Sequence, residues 1–257
     1  MARNLCSISG AIAVVLLSST TGAFAADPKV PAAVSAAVAD AGRPDADKAR
    51  DANRKPGESV TFAGVKKGEK VVDLLPGGGY FTRIFSKVVG DGGVVYAVPF
   101  PPRPNAPAPT SPPAIVTLAA DPAYKNVKVV NTALTELKLP EPVDLVWTSL
   151  NYHDVHNTPN DGIKAFNKAV FDALKPGGTF LVIDHAAAPG SGARDTSTLH
   201  RIDPEIVKTE VEAAGFKLAA QGDFLKNPDD PHTAANRDSS VQGHTDQFIL
   251  KFTKPKK

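Results

Sequence analysis

The sequence has 257 residues, a length that suits one domain with a sizeable buried core. Lys and Arg together number 29 and Asp and Glu 27, so the formal net charge is only +2. This balance provides no broad basic surface for nucleic acid or anionic lipid. It favours a small-molecule partner, and it says nothing about the oligomeric state.

The first residues have the pattern of a secretory signal peptide. Arg3 gives a positive start, residues 8–17 are apolar, and Ala23-Phe24-Ala25 has the small-x-small form of a cleavage site. The apolar stretch is shorter than the roughly 20 residues of a membrane-spanning helix, so no membrane anchor is predicted. We expect residues 1–26 to be a leader and the mature protein to be periplasmic or secreted. The alternative is a downstream start, which would need a non-AUG codon because Met1 is the only methionine.

The segment after the leader, residues 27–57, is rich in alanine and contains scattered charges and several prolines. This composition predicts one or two short surface helices. We expect an N-terminal helical extension that packs on a main domain of residues 58–257. The only cysteine, Cys6, lies in the leader, so the mature chain has no disulfide or thiolate metal site.

Short apolar runs alternate with helical patterns along the main domain. The predicted buried strands are residues 70–75, 94–98, 127–130, 143–147, 179–183, 216–220 and 247–252. The predicted helices are residues 81–89, 158–174 and 203–215. This order predicts an α/β fold with a doubly wound, mostly parallel, seven-stranded sheet, helices on both faces and a ligand site at the carboxyl ends of the strands.

Capping and breaking residues limit several of these elements. Thr158 suits a helix cap with Pro159 at the first helical position, and Lys175-Pro176-Gly177-Gly178 predicts the end of that helix. Asp203 suits the cap of the next helix. Residues 99–113 contain so much proline that neither a helix nor an inner strand is expected, and both a functional loop and a linker fit this composition.

A glycine-rich loop follows the first predicted strand, in Asp73-Leu74-Leu75-Pro76-Gly77-Gly78-Gly79-Tyr80. Glycines let the backbone approach a ligand, and the following helix offers free N–H groups at its N-terminus. The carboxylate of Asp73 would suit a cationic or hydrogen-bond-donating group. A tight turn without a ligand is the alternative. The dinucleotide-binding fingerprint fits poorly because its third glycine is missing, and the Gly-Lys-Ser/Thr of a P-loop is absent.

This loop resembles the first motif of class I S-adenosylmethionine-dependent methyltransferases, a family with a Rossmann-like fold. Asp73, Gly77 and Gly79 match that motif. Further similarities are Asp144-Leu145-Val146-Trp147, Leu174-Lys175-Pro176-Gly177-Gly178 and Glu212-Ala213-Ala214-Gly215-Phe216. Residues 76–80, 151–154 and 200–204 resemble a bacterial group of such methyltransferases that carry signal peptides.

The resemblance implies S-adenosylmethionine as cofactor and a small molecule as methyl acceptor. The cofactor-binding residues that it implies are Asp73, Leu75, Gly77, Gly78, Gly79, Tyr80 and Asn131. Three positions depart from the family. Leu75 replaces the first glycine of the motif, Pro99 or Val98 stands where an acid usually binds the ribose, and Asn131 stands where an acid often reaches the adenine. A protein that keeps the fold and binds a nucleoside-like ligand without catalysis is therefore the alternative.

Polar residues follow the fourth and fifth predicted strands. Asn151, Tyr152 and His153 come directly after the fourth strand, and His185 follows the fifth. A histidine at this edge can take a proton from a hydroxyl or amine acceptor, while Asn or Tyr orients that acceptor. These four residues are the predicted catalytic residues. The alternative is that they cap strand ends and order the loops.

Several residues of the same region belong to types that bind metals: His153, Asp154, Asp184, His185 and His200. None of their spacings is a recognised ligand signature, so no metal site is predicted. Elsewhere, His232 and His244 are expected at the surface, and Trp147 is expected in the core.

Overall fold

The computed structural model describes residues 29–101, 111–158 and 162–256. The predicted leader, most of the proline-rich loop and Pro159 lie outside these residues. The strands are β1 (Lys70–Leu74), β2 (Val94–Val98), β3 (Val127–Val129), β4 (Val143–Ser149), β5 (Leu174–His185), β6 (Lys217–Gly222) and β7 (Gln247–Thr253). The helices in these ranges are α1 (Ala32–Val38), α2 (Asp45–Lys48), α3 (Asp51–Arg54), α4 (Pro56–Ala63), α5 (Tyr80–Val89), α6 (Ala114–Ala120), α7 (Tyr152–Val155), α8 (Gly162–Ala173) and α9 (Pro204–Ala213).

The seven strands form one sheet in the order β3-β2-β1-β4-β5-β7-β6. All neighbours are parallel except β7, which runs antiparallel to both β5 and β6. The predicted doubly wound, mostly parallel sheet is therefore confirmed. The strand order changes direction between β1 and β4, and ligands of such folds bind beyond the carboxyl ends of the strands at this switch point.

Apolar side chains cover both faces of the sheet. On one face, the ring of Trp147 packs against Phe81 and Phe85 of α5, with ring centroids 4.5 and 5.1 Å apart. Trp147 is therefore a core residue, as predicted. On the other face lie the alternate residues of β7 and the apolar sides of α8 and α9. Burial of each such large side chain contributes about 1.5–3 kcal/mol, and together the two layers hold the strand ends in place.

Two predicted element limits differ from the structure. The hydroxyl of Thr158 donates to the carbonyl of Val155 (2.6 Å), so it closes the turn after α7, and α8 is described only from Gly162. The segment 175–178, predicted to end a helix outside any strand, lies within β5. A register shift against β4 accommodates it. Asp203 caps α9 as predicted, since its carboxylate accepts from the N–H of Glu205 at 2.9 Å.

The segment before β1 contains four short helices, where one or two were expected. Proline explains the division, because Pro31 and Pro44 precede α1 and α2 and Pro56 occupies the first position of α4. Helix α6 was not predicted; its Ile115 and Leu118 are buried one helical turn apart. Among the described residues, no helix has the length and apolar character needed to cross a membrane.

Candidate functional site

The glycine loop between β1 and α5 forms an open backbone surface. Gly77 (φ 56°) and Gly79 (φ 85°) adopt the left-handed conformation that glycine favours. A Cβ atom on Gly77 or Gly78 would meet no atom within 4 Å, whereas one on Gly79 would lie 2.6 Å from Leu118. Gly79 is thus needed for packing against α6. Gly77 and Gly78 leave the space in front of the loop free for a ligand.

Leu75 has the left-handed backbone conformation that glycine favours. Its φ is 55°, and its side chain is buried. The N–H of Leu75 donates to the carbonyl of Val98 (2.8 Å), and its own carbonyl accepts from the amide of Asn151 (3.4 Å). Asn151 also donates to the carbonyl of Ser149 (2.6 Å). Leu75 therefore keeps the shape of the loop and adds a side chain at its edge.

A cavity of about 210 Å³ lies at the carboxyl ends of β1 and β4. Its walls are the glycine loop, residues 149–151 after β4, and two arginines from the N-terminal helices, Arg50 and Arg54. The cavity joins six of the predicted site residues: Asp73, Leu75, Gly77, Gly78, Tyr80 and Asn151. It occupies the switch point of the sheet.

Arg54, at the end of α3, is a site residue that the sequence analysis missed. Its guanidinium donates to the hydroxyl of Ser149 (3.0 Å) and lies 4.3 Å from the ring centre of Tyr80. Burial lowers the pKa of Arg54 to about 10, so the group is still a cation at neutral pH. The only signal in the sequence is that Arg50 and Arg54 lie four residues apart and share one helical face. No pattern in the neighbouring residues indicates that this helical face packs at the end of β1.

Asp73 places a carboxyl group at the same cavity. Its side chain is buried, and one carboxyl oxygen accepts a hydrogen bond from the hydroxyl of Thr82 at 2.6 Å. Burial raises the pKa of Asp73 to about 7, although the hydrogen bond of Thr82 and the charge of Arg54 act against this shift. The carboxyl is therefore ready to ionise when a cationic group binds beside it.

A hydrogen-bond network attaches α3 to the rest of the site. The guanidinium of Arg43 binds both carboxylate oxygens of Asp51 (2.6 and 2.8 Å), and the hydroxyl of Tyr80 donates to the same carboxylate (2.5 Å). Such two-point contacts between arginine and carboxylate fix geometry as well as charge. They hold Arg54, three residues further on, against the first turn of α5.

Tyr152 does not face the cavity. Its side chain is completely buried, its hydroxyl donates to Glu210 (3.2 Å), and it accepts from the amide of Asn167 (2.8 Å). These partners lie on α8 and α9, under the opposite face of the sheet. The structure therefore gives Tyr152 a packing position, and its hydroxyl is not free to orient an acceptor.

Two carboxylates hold the imidazole of His153, one of the predicted catalytic residues. Its ring Nδ1 lies 2.8 Å from a carboxylate oxygen of Asp184, and Nε2 lies 3.4 Å from Asp154. The same oxygen of Asp154 is 3.4 Å from Nδ1 of His200. Burial lowers the pKa of His153, but the charge and hydrogen bond of Asp184, aided by Asp154, raise it above its ordinary value.

The remaining predicted residues lie apart from the cavity. His185 is buried with Nδ1 2.6 Å from the hydroxyl of Thr245, and burial lowers its pKa to about 4, so this imidazole is neutral. Asn131 is exposed after β3 and does not line the cavity. The end of β2 is the place where an acid usually binds the ribose in the resembled family. Val98 and Pro99 stand there and offer no carboxylate, and the next residue, Phe100, has 55% of its surface exposed.

No protein-family model matches the sequence, and no curated protein matches it. Solved structures do share the fold. An arsenic(III) S-adenosylmethionine methyltransferase from Chlamydomonas reinhardtii is 19% identical with a TM-score of 0.55, over 88% of this chain and 74% of that chain. The glycopeptide N-methyltransferase MtfA, solved with sinefungin, is 17% identical with a TM-score of 0.53, over 80% of this chain and 86% of that chain. A SAM-dependent methyltransferase from Aquifex aeolicus is 19% identical with a TM-score of 0.51, over 76% and 87%.

These likenesses define a class I methyltransferase fold with its Rossmann-like sheet. At such low identity they define the fold alone, because one fold can carry many activities. Function has to be argued from the side chains of the site.

Proposed function

We propose that the protein is an S-adenosylmethionine-dependent methyltransferase that acts on a small molecule. One observation carries the proposal: a carboxyl group (Asp73) and a guanidinium (Arg54) line the same cavity beside an open glycine loop. The methionine part of S-adenosylmethionine ends in an ammonium and a carboxylate, which are the charges that complement this pair. The solved methyltransferases with the same fold support the proposal.

The fit is good at one end of the cofactor and reduced at the other. A volume of about 210 Å³ is below the roughly 300–1,000 Å³ of pockets that enclose whole ligands, so the cavity suits the methionine part. The nucleoside part would fall to the ends of β2 and β3, where Pro99 and Asn131 stand. Neither residue offers a carboxylate to the ribose or the adenine. We therefore expect a lower cofactor affinity than a family member with both acids would have.

Each residue of the site has a distinct role in this proposal. When bound, S-adenosylmethionine supplies an electrophilic methyl group. Arg54 and Asp73 hold its amino-acid end, and Gly77 and Gly78 allow close approach of the backbone. On the acceptor side, Asp184 binds Nδ1 of His153 and so leaves Nε2, which lies 3.4 Å from Asp154, as the nitrogen that would take a proton from the acceptor.

The acceptor is proposed to be small because the formal net charge of the chain is only +2. The leader pattern supports a periplasmic or secreted location. S-adenosylmethionine is made in the cytosol, so an exported enzyme would lack an obvious supply of it. A binding protein that has lost catalysis is therefore the second candidate, and the departures at Leu75, Pro99 and Asn131 favour it.

Calorimetric titration tests the proposal. The purified protein should bind both S-adenosylmethionine and its demethylated product with 1:1 stoichiometry. Gly78 has an ordinary backbone conformation and open space in front of it, so Gly78→Leu should fill the ligand space without straining the chain and should abolish binding. Gly92→Leu is the matched control, since Gly92 also has open space but lies in the turn after α5.

The absence of any heat at millimolar ligand would refute the methyltransferase proposal. Binding that is unchanged in Gly78→Leu would place the ligand elsewhere. Tight binding without transfer to any acceptor, including molecules that co-purify with the protein, would favour the second candidate.

A further inference from the structure

Three side chains from two distant segments of the chain form one cluster. His153 and Asp154 belong to α7, directly after β4, and His200 lies in the loop before α9. The Nε2 of His153 and the Nδ1 of His200 are each 3.4 Å from the same carboxylate oxygen of Asp154. All three atoms lie within 4.8 Å of one another.

Two of these three separations match those between the ligand atoms of a single metal ion. Nitrogen and oxygen ligands bind zinc at about 2.0–2.2 Å in tetrahedral geometry, which puts two ligand atoms about 3.4 Å apart. Two of the contacts in the cluster have this length. The donor set of two imidazoles and one carboxylate is also one that divalent transition metals prefer.

Asp184 prepares His153 to act as a ligand. Its carboxylate binds Nδ1 of the imidazole and the backbone N–H of the same residue, each at 2.8 Å, so the ring proton is placed on Nδ1 and the lone pair on Nε2. A carboxylate behind a histidine ligand is a frequent feature of metal sites, where it fixes the ring and increases its basicity. Asp184 and Asp154 act on His153 with negative charges, and Arg237 acts on it with a positive charge.

The third ligand is held in place by a rigid loop. His200 has a left-handed backbone (φ 52°), which is uncommon for a residue with a side chain and is often found at functional sites. The next residue, Arg201, is completely buried and binds both oxygens of Asp230 at 2.7 and 3.1 Å. This anchor fixes the loop, so His200 points at Asp154 without a ligand present.

We propose that His153, Asp154 and His200 bind one divalent transition-metal ion of the zinc class. Three protein ligands leave a coordination position open, as in catalytic zinc sites. No ligand signature is visible in the spacing of these residues, because only the fold brings α7 and the loop at His200 together. In a role that rests on the proposed function, the bound ion would replace the free Nε2 of His153 as the group that promotes loss of the acceptor's proton: its open position would hold the acceptor heteroatom and favour release of the proton to solvent.

The test measures metal binding directly. The full protein is freed of metal with EDTA and dialysed, then titrated with Zn²⁺ against a chromophoric chelator and with Co²⁺ by visible absorption. We expect one ion per chain and the intense visible bands of a four-coordinate cobalt site. His200→Gly suits the left-handed backbone and removes one ligand, so it should weaken Zn²⁺ binding by at least about 100-fold while the fold is kept.

His156→Ala is the matched control. His156 lies just after α7 and pairs with Glu210 at 3.0 Å, outside the cluster, so its loss should leave Zn²⁺ affinity unchanged. Equal Zn²⁺ affinity of the wild type and His200→Gly would overturn the proposal, as would no binding by the wild type at micromolar Zn²⁺. Calorimetry with S-adenosylmethionine is run on the same samples. Zinc binding without cofactor binding would support the metal site and refute only the proposed function. Cofactor binding without zinc binding would support the proposed function and refute the metal site.

Discussion

Asp184 accepts two hydrogen bonds from His153, one from ring Nδ1 and one from the backbone N–H, each 2.8 Å long. The same carboxylate also accepts from the N–H of His185 at 2.8 Å. Because Asp184 lies on β5 and His153 follows β4, this buried carboxylate joins the ends of two neighbouring strands. It sets both the position of α7 and the orientation of the imidazole.

Asp184→Asn should destabilise the protein strongly. The amide nitrogen of asparagine would face an N–H donor in this buried position, and the loss of one partner from a buried charged network costs about 3–5 kcal/mol. Urea denaturation measures the free energy of unfolding. Asp172→Asn is the control, since Asp172 pairs with Lys168 at the surface and should change stability by less than about 1 kcal/mol. Equal stabilities of the two variants would show that Asp184 does not organise the site.

Arg54→Ala should weaken the binding of S-adenosylmethionine by about 10- to 100-fold, the usual loss when a charged hydrogen-bond partner is removed. Methylthioadenosine, which has the nucleoside but no amino-acid end, should bind with unchanged affinity. Calorimetry with both ligands makes the comparison. Arg194→Ala is a control at an exposed arginine, which pairs with its neighbour Asp195. If the affinities for both ligands fall equally, Arg54 supports the fold of the cavity and does not contact the carboxylate of S-adenosylmethionine.

Asp73 should make stability depend on pH. Burial raises its pKa to about 7 in the folded chain, so the folded state holds the proton more tightly than the unfolded state does. Protonated Asp73 contributes its full stabilisation to the folded state below pH about 4, its ordinary pKa. This stabilisation is lost as the pH rises through about 7. The free energy of unfolding of Asp73→Asn, taken relative to that of the wild type, should therefore be higher at pH 8 than at pH 5.

Chemical denaturation at the two pH values measures this difference. Asp91→Asn, at a largely exposed carboxylate, is the control and should show the same difference from the wild type at both pH values. A pH-independent difference for Asp73→Asn would mean that Asp73 is ionised throughout this range.

Leu75→Gly should have opposite effects on stability and on affinity. Glycine relieves the strain of the left-handed backbone at this position. The loss of a buried leucine side chain nevertheless costs about 2–5 kcal/mol, so the melting temperature should fall. The space gained at the cavity should tighten cofactor binding in calorimetry. Leu75→Ala keeps the backbone strain and should fall further in stability than the glycine variant. A melting temperature higher for alanine than for glycine would contradict this account of Leu75.

The leader pattern predicts that the mature protein begins at Ala26 or Asp27. N-terminal sequencing of protein isolated from the native host measures this. An N-terminus at Met1, with the protein in the cytosol, would refute export.

The fold was predictable because buried parallel strands are nearly continuous apolar runs, and each predicted strand of this chain overlaps a strand of the sheet. The open glycine loop and the position of Asp73 beside it were predictable for a similar reason, since this local geometry depends on residues adjacent in sequence. Arg54 was not, because its position depends on how α3 packs on α5. The buried position of Tyr152 was not predictable either. The turn of α7 directs its side chain under the sheet, whereas the side chain of the next residue, His153, faces Asp184.

The position of β7 between β5 and β6 has a consequence for how the chain folds during synthesis. Until residues 247–253 are available, the inner strand β5 has an open edge, although its residues 181–183 are almost completely buried in the finished protein. Unpaired apolar edges of this kind pair readily with other chains. Among the described strands, β7 is made last and closes an apolar edge that is otherwise open to aggregation, so a chain cut before Gln247 should accumulate as insoluble protein.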